Sequence, residues 1–160
     1  MSSAFTAGEL APSRLVEALP LLRTIWPEID FDRWQSFATF YSGAGTPGLP
    51  QLVGLFDAAG GLSGLFACRV DQDLHEGRFL FLPLFIVVDL TNSLRAVEAL
   101  LAAANDRARQ CGCIGLRLQL SNRQRELGAR LRQLGLSLMV SDHSMKISPL
   151  PRAEHSAIDR

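Results

Sequence analysis

The sequence carries few side chains able to do chemistry, and they lie far apart. His75 and Glu76 are neighbours just ahead of an apolar run that begins at Phe79, and His143 opens the short stretch His143 to Ile147. An imidazole or carboxylate at such places could take a proton from a nucleophile or return one to a leaving group. These three are weak catalytic candidates, since each serves equally well as an ordinary polar residue. His155 lies in the tail and adds little. Glu28, Asp30 and Asp32 stand between Trp26 and Trp34, where carboxylates beside aromatic faces could hold a cationic amine. Glu28, Asp30 and Trp34 are therefore candidate substrate-binding residues, although Asp30 is also placed to cap a following helix. The single tyrosine, Tyr41, shares a helical face with Phe37 and Trp34, and packing accounts for it. The cysteines Cys68, Cys111 and Cys113 are odd in number and form no C-x-x-C pair, so a reduced chain with no metal site is expected.

Whatever these residues do, one domain has to position them. A chain of 160 residues can bury a core without disulfides or a metal. Residues 1–148 are expected to form that domain, and 149–160, with Pro149, Pro151 and mixed charges, a loose tail. Its 16 basic and 16 acidic side chains cancel, leaving no overall field to gather nucleic acid or an anionic membrane. The start lacks a charged region followed by an apolar core, and no run approaches the ~18 apolar residues of a membrane span. A cytoplasmic chain is expected.

Leu15, Leu19, Leu22 and Trp26 recur at helical spacing, with Ser13 as a possible N-cap and Pro20 expected to kink or shorten the helix. Phe31, Trp34, Phe37, Ala38 and Tyr41 share one face of a second helix, and Ser42 to Pro50 reads as a loop. Leu52 to Phe56 and Leu62 to Val70 flank Asp57-Ala-Ala-Gly-Gly61, a hairpin pattern. Phe79 to Val88 is almost uninterruptedly apolar, as in a central strand covered on both faces, and Pro83 within it predicts a bulge or splay. Leu94, Val97, Leu101, Ala104 and Ala108 then mark a long helix ending near Gly112, followed by a strand from Ile114 to Leu120. A helix from about Asn122 carries Leu127, Leu131 and Leu134 up to Gly135, and strands at Leu136 to Val140 and His143 to Ile147 complete the order.

This order is an α/β (α+β) pattern, an antiparallel beginning joined to one strand-helix-strand crossover. The segments Phe85-Ile-Val-Val-Asp89, Ala108-Arg-Gln-Cys-Gly-Cys113, Leu116-Arg-Leu-Gln-Leu120 and Leu131-Arg-Gln-Leu-Gly-Leu136 make it specific: together they resemble the core of the GNAT acyltransferase superfamily. The resemblance covers roughly Ser13 to Ile147. It implies a mixed central sheet with about four helices, whose fourth strand, Phe79 to Val88, splays from the fifth, Ile114 to Leu120, to admit acetyl-CoA. Phe85, Ile86, Val87 and Val88 would pair with the pantetheine arm. The following helix start, Asn92, Ser93, Leu94, Arg95, Ala96 and Val97, would receive the pyrophosphate on its free N–H groups. The helix-helix segment with Glu28, Asp30 and Trp34 would help form the acceptor site.

Two positions depart from the family pattern. At the phosphate loop the family usually carries Gln or Arg, then Gly, then Gly or Ala, where this chain has Asn92, Arg95 and Val97. Larger side chains thus fill both small positions, and Arg95 could either hold a phosphate or close the pocket. Where the family commonly presents a tyrosine as acid, four residues before Gly135, this chain has Leu131, and Leu82, Pro83 and Leu84 occupy the places of a strand-borne base. The resemblance accordingly implies an acyl-CoA-dependent N-acetyltransferase acting on a small-molecule or peptide amine. The alternative is a non-catalytic module of the same fold that binds acyl-CoA or a protein. Dimers are common in the family, so a homodimer is a possible assembly.

Overall fold

The computed structural model describes residues 4–42, 48–88, 93–133, 138–141 and 144–147, with side chains described over 4–42, 48–88 and 94–133. The expected tail at 149–160, Asn92, Gly135 and His143 lie outside the described residues.

A seven-stranded mixed sheet forms the centre. Its strands are β1 (Thr6–Glu9), β2 (Gln51–Phe56), β3 (Leu62–Asp73), β4 (Gly77–Val87), β5 (Gly115–Gln119), β6 (Leu138–Ser141) and β7 (Ser144–Ile147). They lie in the order β1-β2-β3-β4-β5-β7-β6, antiparallel except for the parallel pair β4 and β5. The helices are α1 (Leu15–Arg23), α2 (Phe31–Phe40), α3 (Ser93–Gln110) and α4 (Arg125–Gln133). Among the described residues, no helix is long and apolar enough to cross a membrane.

Helices cover both faces of the sheet. Ala96, Val97, Leu100 and Ala104 of α3 and Leu131 of α4 pack on Phe66, Leu82, Phe85 and Leu118. On the opposite face Leu22 of α1 and Trp34 and Ala38 of α2 pack on Leu65, Ala67, Leu84 and Ile86. The α1–α2 pair departs in detail from the sequence reading. Ser13 does not cap α1 but sits in a short 3-10 helix, Pro12–Arg14, and the cap position falls on Arg14, which makes no side-chain cap bond. Pro20 is accommodated inside α1, which stops at Arg23. Asp30 caps α2 as expected, its Oδ1 accepting the Arg33 N–H at 2.8 Å.

The expected irregularity at Pro83 organises the whole site. Ala67 pairs with Leu84 and Arg69 with Phe81, so Leu82 and Pro83 together face the single residue Cys68. One extra residue inverts the alternation of a strand. Before it the even-numbered Leu80 and Leu82 point to the α3 face; after it the odd-numbered Phe85 does, while Leu84 and Ile86 turn to α1 and α2. The parallel ladder to β5 runs from Phe79–Gly115 to Leu82–Leu118 and goes no further, because proline has no N–H to donate. Beyond Pro83 β4 stays on β3 up to Val87 and leaves β5, opening a cleft between them.

Candidate functional site

The cleft exposes backbone rather than side chains on its β4 wall. Val88 donates its N–H to Ser63 at 2.8 Å, and Cα partners run Gly64 with Val87, Leu65 with Ile86 and Phe66 with Phe85. Antiparallel partners alternate between bonded and non-bonded pairs, so Phe85 and Val87 direct their N–H and C=O groups away from β3 and into the cleft. Phe85 and Ile86 of the expected cofactor set are core residues by their side chains, on opposite faces; Val87 and Val88 are half-buried. What that segment can offer a ligand is main chain, the kind of edge that an amide-bearing chain can pair with.

One of those carbonyls already has a partner. Gln124, buried between β5 and α4, donates Nε2–H to the Phe85 carbonyl at 2.8 Å and accepts the Ser121 N–H on Oε1 at 2.9 Å. Ser121 Oγ in turn accepts the Arg123 N–H at 3.2 Å. The pattern is close to a Ser-x-x-Gln capping box, but the Ser121 hydroxyl accepts the Arg123 N–H, and the Gln124 N–H goes to the Ser121 carbonyl at 2.9 Å. The four residues close a turn, and α4 begins after it at Arg125. Sequence reasoning missed Gln124 as a site residue, although the Ser121-Asn-Arg-Gln124 signature was there to find.

At the helix that follows β4, Leu94 and Arg95 are exposed on the first turn, and no acidic residue stands there to offset the helix dipole. Ala96 and Val97 are 0% and 1% exposed and belong to the core under α3. The expectation that Val97 fills the phosphate site is therefore corrected: its side chain points at the sheet, and of the two bulky substitutions only Arg95 reaches outward.

Next to the bulge, α1, α2 and the segment joining them enclose a pocket of about 420 Å³ lined mainly by Leu22, Trp26, Ile29, Phe37, Pro83 and Leu84. Glu28, Arg33 and Trp34 complete its lining. Trp34 is 1% exposed, and its indole N–H is held by the Leu15 carbonyl at 2.8 Å, so it forms a fixed wall. Glu28 also lines the pocket, but its carboxylate is paired with Arg123 Nη1 at 3.4 Å, and the same nitrogen donates to the Ile25 carbonyl at 3.1 Å. Asp30 does not line it and is committed to the α2 cap. The expected cluster of free carboxylates is thus corrected to a pocket whose charged described lining is one paired Glu and one Arg. A second cavity of about 370 Å³, which includes Ser121 to Gln124, meets the first at Trp26 and Pro83.

No protein-family model matches the sequence, and no curated protein matches it. Solved structures do. An acetyltransferase of the GNAT family from Staphylococcus aureus is similar with a TM-score of 0.69 at 14% identity, over 92% of this chain and 100% of that one. An aminoglycoside N-acetyltransferase in complex with CoA is similar with a TM-score of 0.68 at 15% identity, over 96% and 98%. An aminoglycoside 6'-N-acetyltransferase from Acinetobacter baumannii gives 0.65 at 13%, over 88% and 92%. The chain has the GNAT fold. At these identities the likeness concerns the arrangement of elements, and function must be argued from the side chains.

Within the GNAT fold the catalytic candidates His75 and Glu76 fall far from the cleft. They lie on the turn between β3 and β4, and Pro83 is about 20 Å of strand beyond Gly77. Asp73 holds that turn by accepting the His75 and Glu76 N–H groups on Oδ1, both at 2.8 Å. Its Oδ2 and the Glu76 carboxylate both pair with Arg117, at 3.1 and 3.2 Å, and the guanidinium lies 4.1 Å from the Phe79 ring centre. Leu131, in the place of the family's tyrosine, is 0% exposed. Tyr41 is buried and stacks on Phe37 at 4.7 Å, as its spacing predicted, and burial raises its pKa. Burial likewise pushes the Cys68 thiol up to about 12 and Cys113 up to about 11, so neither supplies a thiolate at neutral pH.

Proposed function

We propose that the chain is an acyl-CoA-dependent N-acyltransferase that positions its reactants without a strong acid of its own. The observation that carries this is the cleft opened at Pro83, with the backbone of Phe85 and Val87 turned into it and an acceptor-sized pocket sharing Pro83. The residues fit an acyl-CoA: a strand edge for the pantetheine amides, and the α3 start with exposed Arg95 for the phosphates. Bound there, acyl-CoA supplies a thioester whose carbonyl carbon bonds to the amine nitrogen as C–S breaks, the amine losing a proton to water and the CoA thiolate taking one up. The chain's part is orientation, which alone can supply ~7 kcal/mol or more of a barrier.

Calorimetric titration with acetyl-CoA, followed by CoA-release assays over a panel of amines, tests it. Binding together with amine-dependent release is expected, and failure to bind acetyl-CoA sinks the reading. Burial of Leu131 favours a second reading, a non-catalytic module that binds acyl-CoA, for which binding without release on any amine is the outcome.

A further inference from the structure

From the charge lining the pocket beside Pro83, we infer that the acceptor is an amine that also carries a carboxylate and an apolar group, as in an aromatic or large aliphatic α-amino acid. This deepens the acyltransfer reading and rests on it for which group reacts. The recognition itself stands on the pocket.

Its volume, about 420 Å³, suits a compact ligand, and its walls at Trp26, Ile29 and Phe37 suit an apolar side chain. Among its described lining residues only Glu28 and Arg33 carry charge. The Arg33 backbone N–H is used by Asp30, while its side chain is exposed at the pocket. Glu28 faces Arg123 at the rim, so the rim carries two guanidinium groups against one carboxylate. Of the other charges on this segment, Arg23 donates Nε–H to the Ile29 carbonyl at 3.1 Å, Asp30 caps α2, and neither these nor Asp32 lines the pocket. A polycation would meet Arg33 and Arg123 with the one lining acid already paired. A carboxylate finds a forked donor in Arg33, in a pocket whose lining also includes Pro83 and Leu84, where the cleft begins.

The test uses the full chain and calorimetry with three probes: N-acetylphenylalanine, which keeps the carboxylate and ring; phenethylamine, which keeps the ring and carries only a cation; and spermidine, a polycation. Each is titrated with and without acetyl-CoA. N-acetylphenylalanine is expected to bind at least about tenfold more tightly than either amine, the worth of one charge-assisted pairing. Arg33→Gln is expected to weaken it about tenfold and Arg33→Lys to recover part of that loss. Arg109→Gln, which removes the same charge from an exposed ion pair at the end of α3, is expected to change nothing. Equal or reversed ranking of the probes, no binding of N-acetylphenylalanine, or an unaffected Arg33→Gln overturns the inference. Because the ranking is read in the titrations without acetyl-CoA, loss of acetyl-CoA binding strikes the acyltransfer reading and leaves this result standing.

Discussion

At the Gly77 end of β4 the strand is bonded to β3 and β5, and its turn is fixed by charge, with Arg117 lying on Phe79 between Asp73 and Glu76. Beyond Pro83 the same strand has lost β5, and the neutral amide of Gln124 reaches across to Phe85 instead. The first end holds two of the sequence's candidate acid-base groups, whose backbone N–H groups hold the turn on Asp73 while the Glu76 carboxylate pairs with Arg117. Along the second end the strand itself, Pro83 to Val87, carries no titratable side chain, yet it offers what a ligand needs: open backbone, a pocket and a nearby helix start. Chemistry-bearing residue types therefore mark one end of this strand, and a residue that does no acid-base chemistry, Pro83, marks the end where the cleft opens.

The harshest way to break this contrast is to insert one alanine between Pro83 and Leu84. With a further residue beyond the bulge the alternation after it shifts by one, so Leu84 and Ile86 would turn toward α3 and Phe85 toward α1 and α2. The expected cost is more than ~5 kcal/mol, comparable to the whole stability of such a domain, read as loss of the cooperative thermal transition by circular dichroism. An insertion variant melting like the parent would show that the strand absorbs a further residue at the bulge without changing faces.

Next in size is Leu131→Tyr. The resemblance alone implies that a phenol here would restore an acid and speed CoA release. The structure reverses that expectation, since a ring and hydroxyl must enter a fully buried site. Overpacking is expected to cost ~1–3 kcal/mol in urea unfolding, with no gain in CoA release. A faster, equally stable variant would show that the site has room toward the cleft.

Gln124→Ala is smaller and separates the ends by mechanism. It removes two neutral, buried hydrogen bonds and leaves the Ser121 N–H and Phe85 C=O to find other partners, at a cost of ~1–2 kcal/mol. Because no charge is involved, that loss is expected to be the same in low and high salt, whereas the effect of Arg117→Ala is expected to shrink as salt screens its half-exposed partners. Matching salt dependence for both variants would erase the distinction.

Much of this architecture is legible in the sequence because it depends on short-range rules. The glycine hairpin at Asp57 to Gly61, the break at Pro83, the stripe along α3 and the Asp30 cap all follow from local periodicity and backbone chemistry. What escaped is long-range or faceless. The strand Thr6–Glu9 is mostly exposed and held by backbone pairing to β2, so no apolar pattern announces it. Arg123 meets Glu28 across 95 residues, and Gln124 meets Phe85 across 39, distances at which spacing says nothing. The loop motif points to Val97 as a phosphate-site residue, but the helical stripe it shares with Leu100, Leu101 and Ala104 is the better guide to where its side chain goes.

The smallest expected effect lies at the closed end and depends on pH. The backbone N–H groups of Glu76 and His75, and then Arg117, hold the Asp73 carboxyl at a pKa of about 2, below its ordinary 3.8. A group depressed by folding stabilises the fold above its ordinary pKa. That contribution is lost as pH falls from about 4 toward 2, because the unfolded chain takes up the proton first. Asp73→Asn keeps an oxygen for the two N–H groups and removes the charge facing Arg117. Its stability at neutral pH is expected to fall slightly, and its curve of stability against pH to be flatter than the parent's between about 4 and 2. The surrounding charges, Glu76 and Arg117, are common to both proteins, so the difference between the curves belongs to Asp73. Urea unfolding at steps across that window measures it. Parallel curves for parent and variant would mean that the Asp73 carboxyl titrates alike in the folded and unfolded chain, and that the turn at this end is held by its backbone bonds without help from charge.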